Sequence, residues 1–384
     1  MVRKLVLPFY LKLLSTLLIL ICLGYIARIG QTVLEPLLFA LLVSTILLPP
    51  AKFLENRLNF PRSLSCIVSI LLFLLSVAIL FFILGSQLSR LSEDWPAFQQ
   101  QLQDSIKELQ KWITAKYGIK YKEQVSYLDK AMTDSLGAGT SMLGQTILSI
   151  SSTVLLFVFS LLYTFFLLYY RTHISTFFVR LFHENHKPVV LEIFEQVQFI
   201  VKKYMVGLLI QIILVSGMAF AAYSLIGIKY AIMLALITGI FNIIPYIGIA
   251  SSALLTCLIT FATSSGSHVL LVIIAIVVIH LIDSNFIMPK VVGSKVQINS
   301  LIALLGLVIG ELLWGISGMF LSIPVIAIIK IVFDRVKELN VWGYLLGEEE
   351  EESLKPKKLR IKLAKVRKTI PSEKDDNVTR GGSI

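Results

Sequence analysis

Charge is what this sequence has least of. Only 15% of its 384 residues are Asp, Glu, Lys or Arg, against 56% hydrophobic, and the mean hydropathy is +0.81. Soluble domains carry about 25% charged residues. That contrast excludes a water-soluble fold and leads us to expect an all-α polytopic membrane protein. Cysteine is scarce as well. Cys22, Cys66 and Cys257 are scattered through apolar runs, which excludes a disulfide framework and a cysteine-ligated metal. The chain also lacks a glycine-rich phosphate loop, a Walker motif, a supported Ser-His-Asp spacing and any Cys/His cluster. No enzymatic activity, ATP-driven transport, cofactor or metal centre is therefore expected. The net charge of +11 flanks hydrophobic runs, as the positive-inside rule requires, and does not point to nucleic acid.

What the chain has in abundance is long apolar runs. A bilayer core about 30 Å thick takes roughly 20 apolar residues per helix. Leu5–Ala27 and Thr32–Leu48 are the first two such runs, joined by a short turn at Ile29-Gly30. A second run so close behind a basic start reads as an uncleaved helix. Pro49–Ser63 reads as an interfacial cytoplasmic helix and Leu64–Gln87 as a third span. Residues 1–87 are thus an N-terminal scaffold of three helices, with the amino terminus in the cytoplasm.

Residues 88–143 differ in kind, with seven Lys/Arg balanced by seven Asp/Glu and a helical periodicity capped by Asp94 near Pro96. We read an extracytoplasmic helical insert, ended by Gly137-Ala138-Gly139. Residues 144–203 give a fourth helix, as part of the run Leu143–Tyr170, and a cytoplasmic linker, Arg171–Lys203. Residues 204–335 form a core, and 336–384 a charged, largely disordered cytoplasmic tail. In that tail, Glu348–Glu352 precedes a basic stretch that can touch anionic lipid.

From Tyr204 to Ile329 only Lys229, Asp283, Lys290, Lys295 and Glu311 are charged. Tyr204–Ile226 and His268–Met288 are single spans. Tyr230–Ala262 and Asn299–Ile329 are too long for one straight crossing and too short for two. Each is interrupted midway, by Pro245-Tyr246-Ile247-Gly248 and by Gly315-Ile316-Ser317-Gly318. Two topologies keep the tail inside: eight spans, two of them kinked, or six spans plus two re-entrant hairpins. Only the second puts Lys290 and Lys295 in the cytoplasm, and so positive-inside favours it. Sliding the segments by 69 positions sets Asn242 opposite Glu311 and brings the two breaks together. Such a faint inverted repeat places substrate where discontinuous helices meet.

These breaks nominate the working residues. Pro245 removes a backbone donor and Gly248 permits a sharp fold. The plain reading is a kink; the functional one is a hairpin tip whose freed carbonyls face a polar path, with Asn242 one turn earlier. A carboxylate in the bilayer costs about 3 kcal/mol on insertion scales, so Asp283 and Glu311 are path candidates, unless they lie at a membrane surface. Glu311, inside "LVIGELLWG", is the stronger of the two for coupling. Gln211 and Asn285 join them. Gly315, Ser317, Gly318, Pro289 and Pro324 are gate or hairpin candidates, against the bland alternative of small residues for close helix packing. His280, three residues before Asp283, is placed to pair with it, and Glu35 is expected to cap or pair within the scaffold.

Three ordered stretches, "GIFNIIPYIG", "DSNFIMPKVVGSKVQINSL" and "LLWGISGMFLSIPVIAIIKIVFDR", resemble the autoinducer-2 exporter family, also called permease M-like. The resemblance is strongest from Val206 to Arg335 and extends to the layout of the whole chain. The family's frequent glycine–glutamine pair early in the fifth span is here Gly207-Leu208, with Gln211 one turn on. The resemblance implies a bacterial inner-membrane secondary transporter of about eight segments, exporting a small polar solute such as autoinducer-2. It equally implies an alternative, sodium or lithium exchange for protons. The expected partners are that solute, a coupling proton or sodium ion, the lipid bilayer and other copies of the chain. A membrane scaffold that transports nothing and binds through its insert and tail is the rival from another class.

Overall fold

The computed structural model describes residues 8–93, 100, 115, 153–245, 247–264, 266–291 and 298–348. The expected insert with Asp94, Pro96 and Gly137–Gly139 lies outside them, apart from isolated positions and its first residues, as do Tyr246, Lys295 and all of the tail after Glu348. The described helices belong to a compact unit, Met1–Gly347; a second unit, Glu348–Ile384, is described only at Glu348.

Regular structure among the described residues is helical, with one isolated bridge between Ile298 and Gly347. That follows from composition. A chain this apolar must satisfy its backbone polar groups internally, and a helix does so within one segment. The helices are α1 (Phe9–Ile29), α2 (Gln31–Arg57), α3 (Arg62–Glu93), α4 (Thr153–Tyr169), α5 (Arg171–Arg180) and α6 (Lys187–Ile226). After these come α7 (Ala231–Phe241), α8 (Ile247–Thr263), α9 (Gly266–Ile282), α10 (Ser300–Arg335) and α11 (Asn340–Leu346). Among the described residues, five helices are long and apolar enough to cross a membrane, and α4 with α5, bent by 71°, makes a sixth if the pair is one span.

Gly30 makes the expected turn between the first two helices. The expected boundary at Pro49 is absent, however: α2 runs through Pro49 and Pro50 to Arg57. Two prolines remove only two backbone donors. Ala51 and Leu54 are buried beyond them, and Arg171 forms a two-pronged ion pair with Glu55 that anchors the last turn. Likewise α6 runs unbroken for 40 residues across the expected change from linker to span at Tyr204. It ends at Gly227, whose φ of +85° suits a left-handed helix cap.

Both long segments are broken midway. α7 and α8 flank the break at Asn242–Tyr246, and Gly248 sits so close to the first helix that a β-carbon there would lie 1.7 Å from the Phe241 carbonyl oxygen. In α10 the turn is sharper. Trp314 leaves helical geometry and Gly315 takes φ +62°, ψ −141°, a conformation that only glycine adopts cheaply. The two legs then pack face to face. A β-carbon on Gly310 would lie 2.3 Å from the Gly318 carbonyl oxygen, and one on Gly306 would meet Ile326. Small residues here let backbones touch. The residues just before α10 meet the end of α11, through the Ile298–Gly347 bridge and the Asn299 backbone N–H donating to the Leu346 carbonyl.

The two breaks converge on one core. Ile243 from the first and Trp314 from the second pack on the cluster of Leu42, Val201, Tyr204, Leu208 and Leu321. A second cluster joins α6 to α7–α9 through Tyr223, Leu234, Ile259 and Ile276.

Candidate functional site

Asp283 is the deepest carboxylate of the core region, only 4% exposed. It opens a π-helical turn, Asp283–Ile287, that interrupts the otherwise regular helix continuing α9. The wider turn shifts the phase of the helix, burying Asp283 and Ile287 while His280 and Asn285 stay exposed. π-turns of this kind are frequent at functional sites.

Two amides from separate elements close on this carboxylate. Gln211, on α6, places Nε2 3.0 Å from both Asp283 oxygens. Asn242, at the first residue of the α7–α8 break, donates from Nδ2 to Oδ2 at 2.8 Å. Both amides are themselves buried, 6% and 8% exposed. No cationic side chain pairs with Asp283 among the described residues. Hydrogen bonds to a charged acceptor are worth about 1.5–3 kcal/mol, so the amides offset much of the cost of holding the carboxylate here. An anionic acceptor held by neutral donors can exchange those donors for a cation or for the N–H and O–H groups of a solute.

Glycine sets this geometry. A β-carbon at Gly239 would lie 2.0 Å from the Ser216 hydroxyl and 2.8 Å from the Ile212 carbonyl oxygen, so α7 lies directly against α6. That close approach sets Asn242, three residues later, beside Gln211. The adjacent Thr238 donates to the Leu234 carbonyl and so receives the Tyr223 hydroxyl at 3.2 Å, a second polar link between α6 and α7. Pro245 is half-buried within the break, and Gly248 supplies its tight return.

The other residues singled out from sequence are placed elsewhere. Glu311 lies on an exposed face of the first α10 leg, away from the Asp283 cluster. Asn285 turns outward and donates to the Leu281 carbonyl, and Pro289 is exposed. His280 is exposed, and Asp283 bonds Gln211 and Asn242 instead of making the pair with His280 that their spacing allows. Gly315 and Gly318 make the second turn and the leg contact, Ser317 is half-buried between them, and Pro324 is buried in the second leg. Glu35 is buried in the scaffold and accepts from Gln31, one turn earlier on α2.

Sequence reasoning missed the device that holds the second tip. Trp314 Nε1 donates to the Ala27 carbonyl at 3.0 Å, while Arg28 Nη1 donates to the Leu312 carbonyl at 2.8 Å. Each helix end supplies the donor that the other end's free carbonyls lack. Phe39 stacks on Phe320 with ring centres 5.6 Å apart, tying the same tip to α2. The only sequence signal was a tryptophan beside the glycine break.

A family model described as AI-2E family transporter matches residues 14–338. YueF of Bacillus subtilis is 26% identical over 325 residues, covering 80% of this chain and 85% of its own length. YrrI of the same organism is 25% identical over 315 residues, covering 79% and 86%. The AI-2 transport protein TqsA of Escherichia coli is 24% identical over 329 residues, covering 85% and 92%.

Proposed function

Because the chain belongs to the AI-2E family of transporters, we propose that it is a secondary transporter carrying a small polar solute outward across the bacterial inner membrane, with Asp283 at the centre of its path. One observation carries this reading: a buried carboxylate, held by amides from α6 and from a helix break, with no cation paired to it among the described residues. A charge in that setting is retained for use rather than for stability. An autoinducer-2-like molecule is the solute that the name of the relative TqsA points to.

The topology in this reading is six full spans and two re-entrant hairpins, with both termini cytoplasmic. The meeting of Ile298 with Gly347 supports a hairpin whose two ends lie on one face. With α9 crossing between them, the α7–α8 hairpin enters from the outside and α10 from the cytoplasm. Their tips then expose the Asp283 cluster alternately to the two sides, within a homo-oligomer.

The test is flux in inside-out vesicles against a panel of polar solutes and of sodium, lithium and protons. Asp283→Asn removes a charge-assisted set worth about 1.5–3 kcal/mol. A roughly ten- to hundredfold fall in flux is the expected result, while Glu311→Gln stays within about twofold. Full flux in Asp283→Asn overturns the reading. Sodium or lithium exchange for protons is the second reading, favoured by a buried carboxylate with no cationic side chain paired to it among the described residues. Cation-driven proton flux without any solute, abolished by Asp283→Asn, would select it.

A further inference from the structure

Helical threonines in this protein commonly turn their hydroxyls back onto the carbonyl one turn earlier. Thr164, Thr238 and Thr263 do so at 2.7, 2.8 and 2.7 Å, the usual way a helix accommodates them. Among the described residues, four buried hydroxyls have no hydrogen-bond partner: Ser65, Ser216, Thr256 and Thr260. Ser65 belongs to the scaffold. The other three belong to the α6–α9 bundle that holds Asp283, where none of the functions described so far uses them.

Ser216 presses on α7, its hydroxyl filling the place that a β-carbon on Gly239 would take. Asn242, the Asp283 ligand, is three residues further on. Beside Gly239, Thr238 meets the Tyr223 hydroxyl at 3.2 Å. The Thr256 hydroxyl faces that same phenol from α8 without closing a bond of its own. α8 leaves the break at Ile247. Ser252, Thr256 and Thr260 therefore stand on one face of it, each about 6 Å farther from the break than the last. All three are fully buried. Neither Tyr204–Ile226 nor residues 231–263 contain a charged residue. A file of hydroxyls thus leads away from Asp283, and its charge comes from that carboxylate.

We propose that Ser216, Tyr223, Thr238, Thr256 and Thr260 line the outer half of the transport path, which passes neutral or cationic hydrogen-bonding solutes and rejects anions. The inference rests on the transport reading above, with Asp283 at the centre of the path and α7–α8 entering from the outside. Buried hydroxyls without partners are costly, where valine, of nearly the same shape as threonine, would not be. They find partners once α7–α8 parts from its neighbours and a solute enters. Each hydroxyl both donates and accepts, so the file suits a solute rich in O–H and N–H groups. An anion would meet no cationic side chain along it, and the Asp283 charge at its inner end.

The experiment places Thr256→Cys, Thr260→Cys or Leu254→Cys in full-length protein lacking Cys22, Cys66 and Cys257, in right-side-out and inside-out vesicles. The probes are two impermeant thiol reagents of similar size, trimethylammonium-ethyl and sulfonato-ethyl methanethiosulfonate, with labelling scored by mass. Thr256→Cys and Thr260→Cys should react from the outside. The cationic reagent should be about tenfold faster there than the anionic one, each relative to its rate on a free thiol. Leu254 is 72% exposed on the opposite face of α8, and its cysteine variant should stay unlabelled. Thr256→Val should hold or raise the melting temperature, since it removes a hydroxyl that has no partner. The proposal is overturned by unreactive cysteines at 256 and 260, by labelling from the cytoplasmic side alone, or by equally fast labelling of Leu254→Cys. Equal relative rates for the two reagents overturn the rejection of anions. A lower melting temperature in Thr256→Val overturns the lining role, since the hydroxyl would then serve the fold. Full vesicle flux in Asp283→Asn is a separate failure, that of the transport reading itself.

Discussion

The two broken segments are built alike and differ at their bends. In the α7–α8 pair the break runs over several residues, beginning with Asn242 and including Pro245, so its tip offers an amide to Asp283. In α10 the break is a single turn at Trp314–Gly315, and its tip is pinned to the end of α1 and to Phe39. One tip presents a polar ligand; the other is held by its neighbours. A glycine contact closes each return, at Gly248 and at Gly310–Gly318. The shared device is therefore a glycine packed directly on backbone, and the difference lies in which side chain is left at the bend.

The comparison can be broken most severely at the glycines. Gly318→Ala drives a β-carbon to within 1.9 Å of the Gly310 carbonyl oxygen, which backbone cannot yield without parting the legs. A loss of about 3 kcal/mol is expected, seen as a lower melting temperature in detergent. Next comes the polar tip. Asn242→Ala leaves Asp283 with Gln211 alone and should reduce flux by about 1.5–3 kcal/mol in transport free energy, with stability changing less. Third is the pinned tip, where Trp314→Phe removes one indole hydrogen bond worth about 1 kcal/mol. Its expected sign is faster protease cutting near α1 rather than lost folding. The smallest effect belongs to Ser317→Ala, the position nearest the second bend with a polar side chain. It should change flux and stability by less than about 0.5 kcal/mol, and a large effect there would erase the distinction between the tips.

Much of this fold was legible because bilayer burial writes itself into composition. The long apolar runs, the turn at Gly30 and both interruptions, at 245–248 and 315–318, were evident from residue types alone. So were Gln211, Asn242 and Asp283 as separate candidates. Their meeting was not, since Gln211 and Asp283 stand 72 residues apart and Asn242 and Asp283 41, and no periodicity encodes that distance. Glu311 drew attention for its rarity, but rarity says nothing of helical phase, and its face is exposed. The π-turn at Asp283 carries no sequence signature that a window of polarity detects. Pro49-Pro50 misled in the opposite sense, because burial of Ala51 and Leu54 and the Glu55–Arg171 pair outweigh two lost donors.

Folding back is the claim on which both tips depend, and a disulfide reports it directly. Ideal β-carbon positions put Gly306 3.8 Å from the Ser322 β-carbon, the mean separation in a disulfide. The measurement is cross-linking of Gly306→Cys/Ser322→Cys in a background lacking Cys22, Cys66 and Cys257, scored by mass spectrometry after mild oxidation. Rapid closure within one chain is the predicted result. In an unbroken helix these residues would stand about 24 Å apart, and thiols that stay free under oxidation would contradict the hairpin.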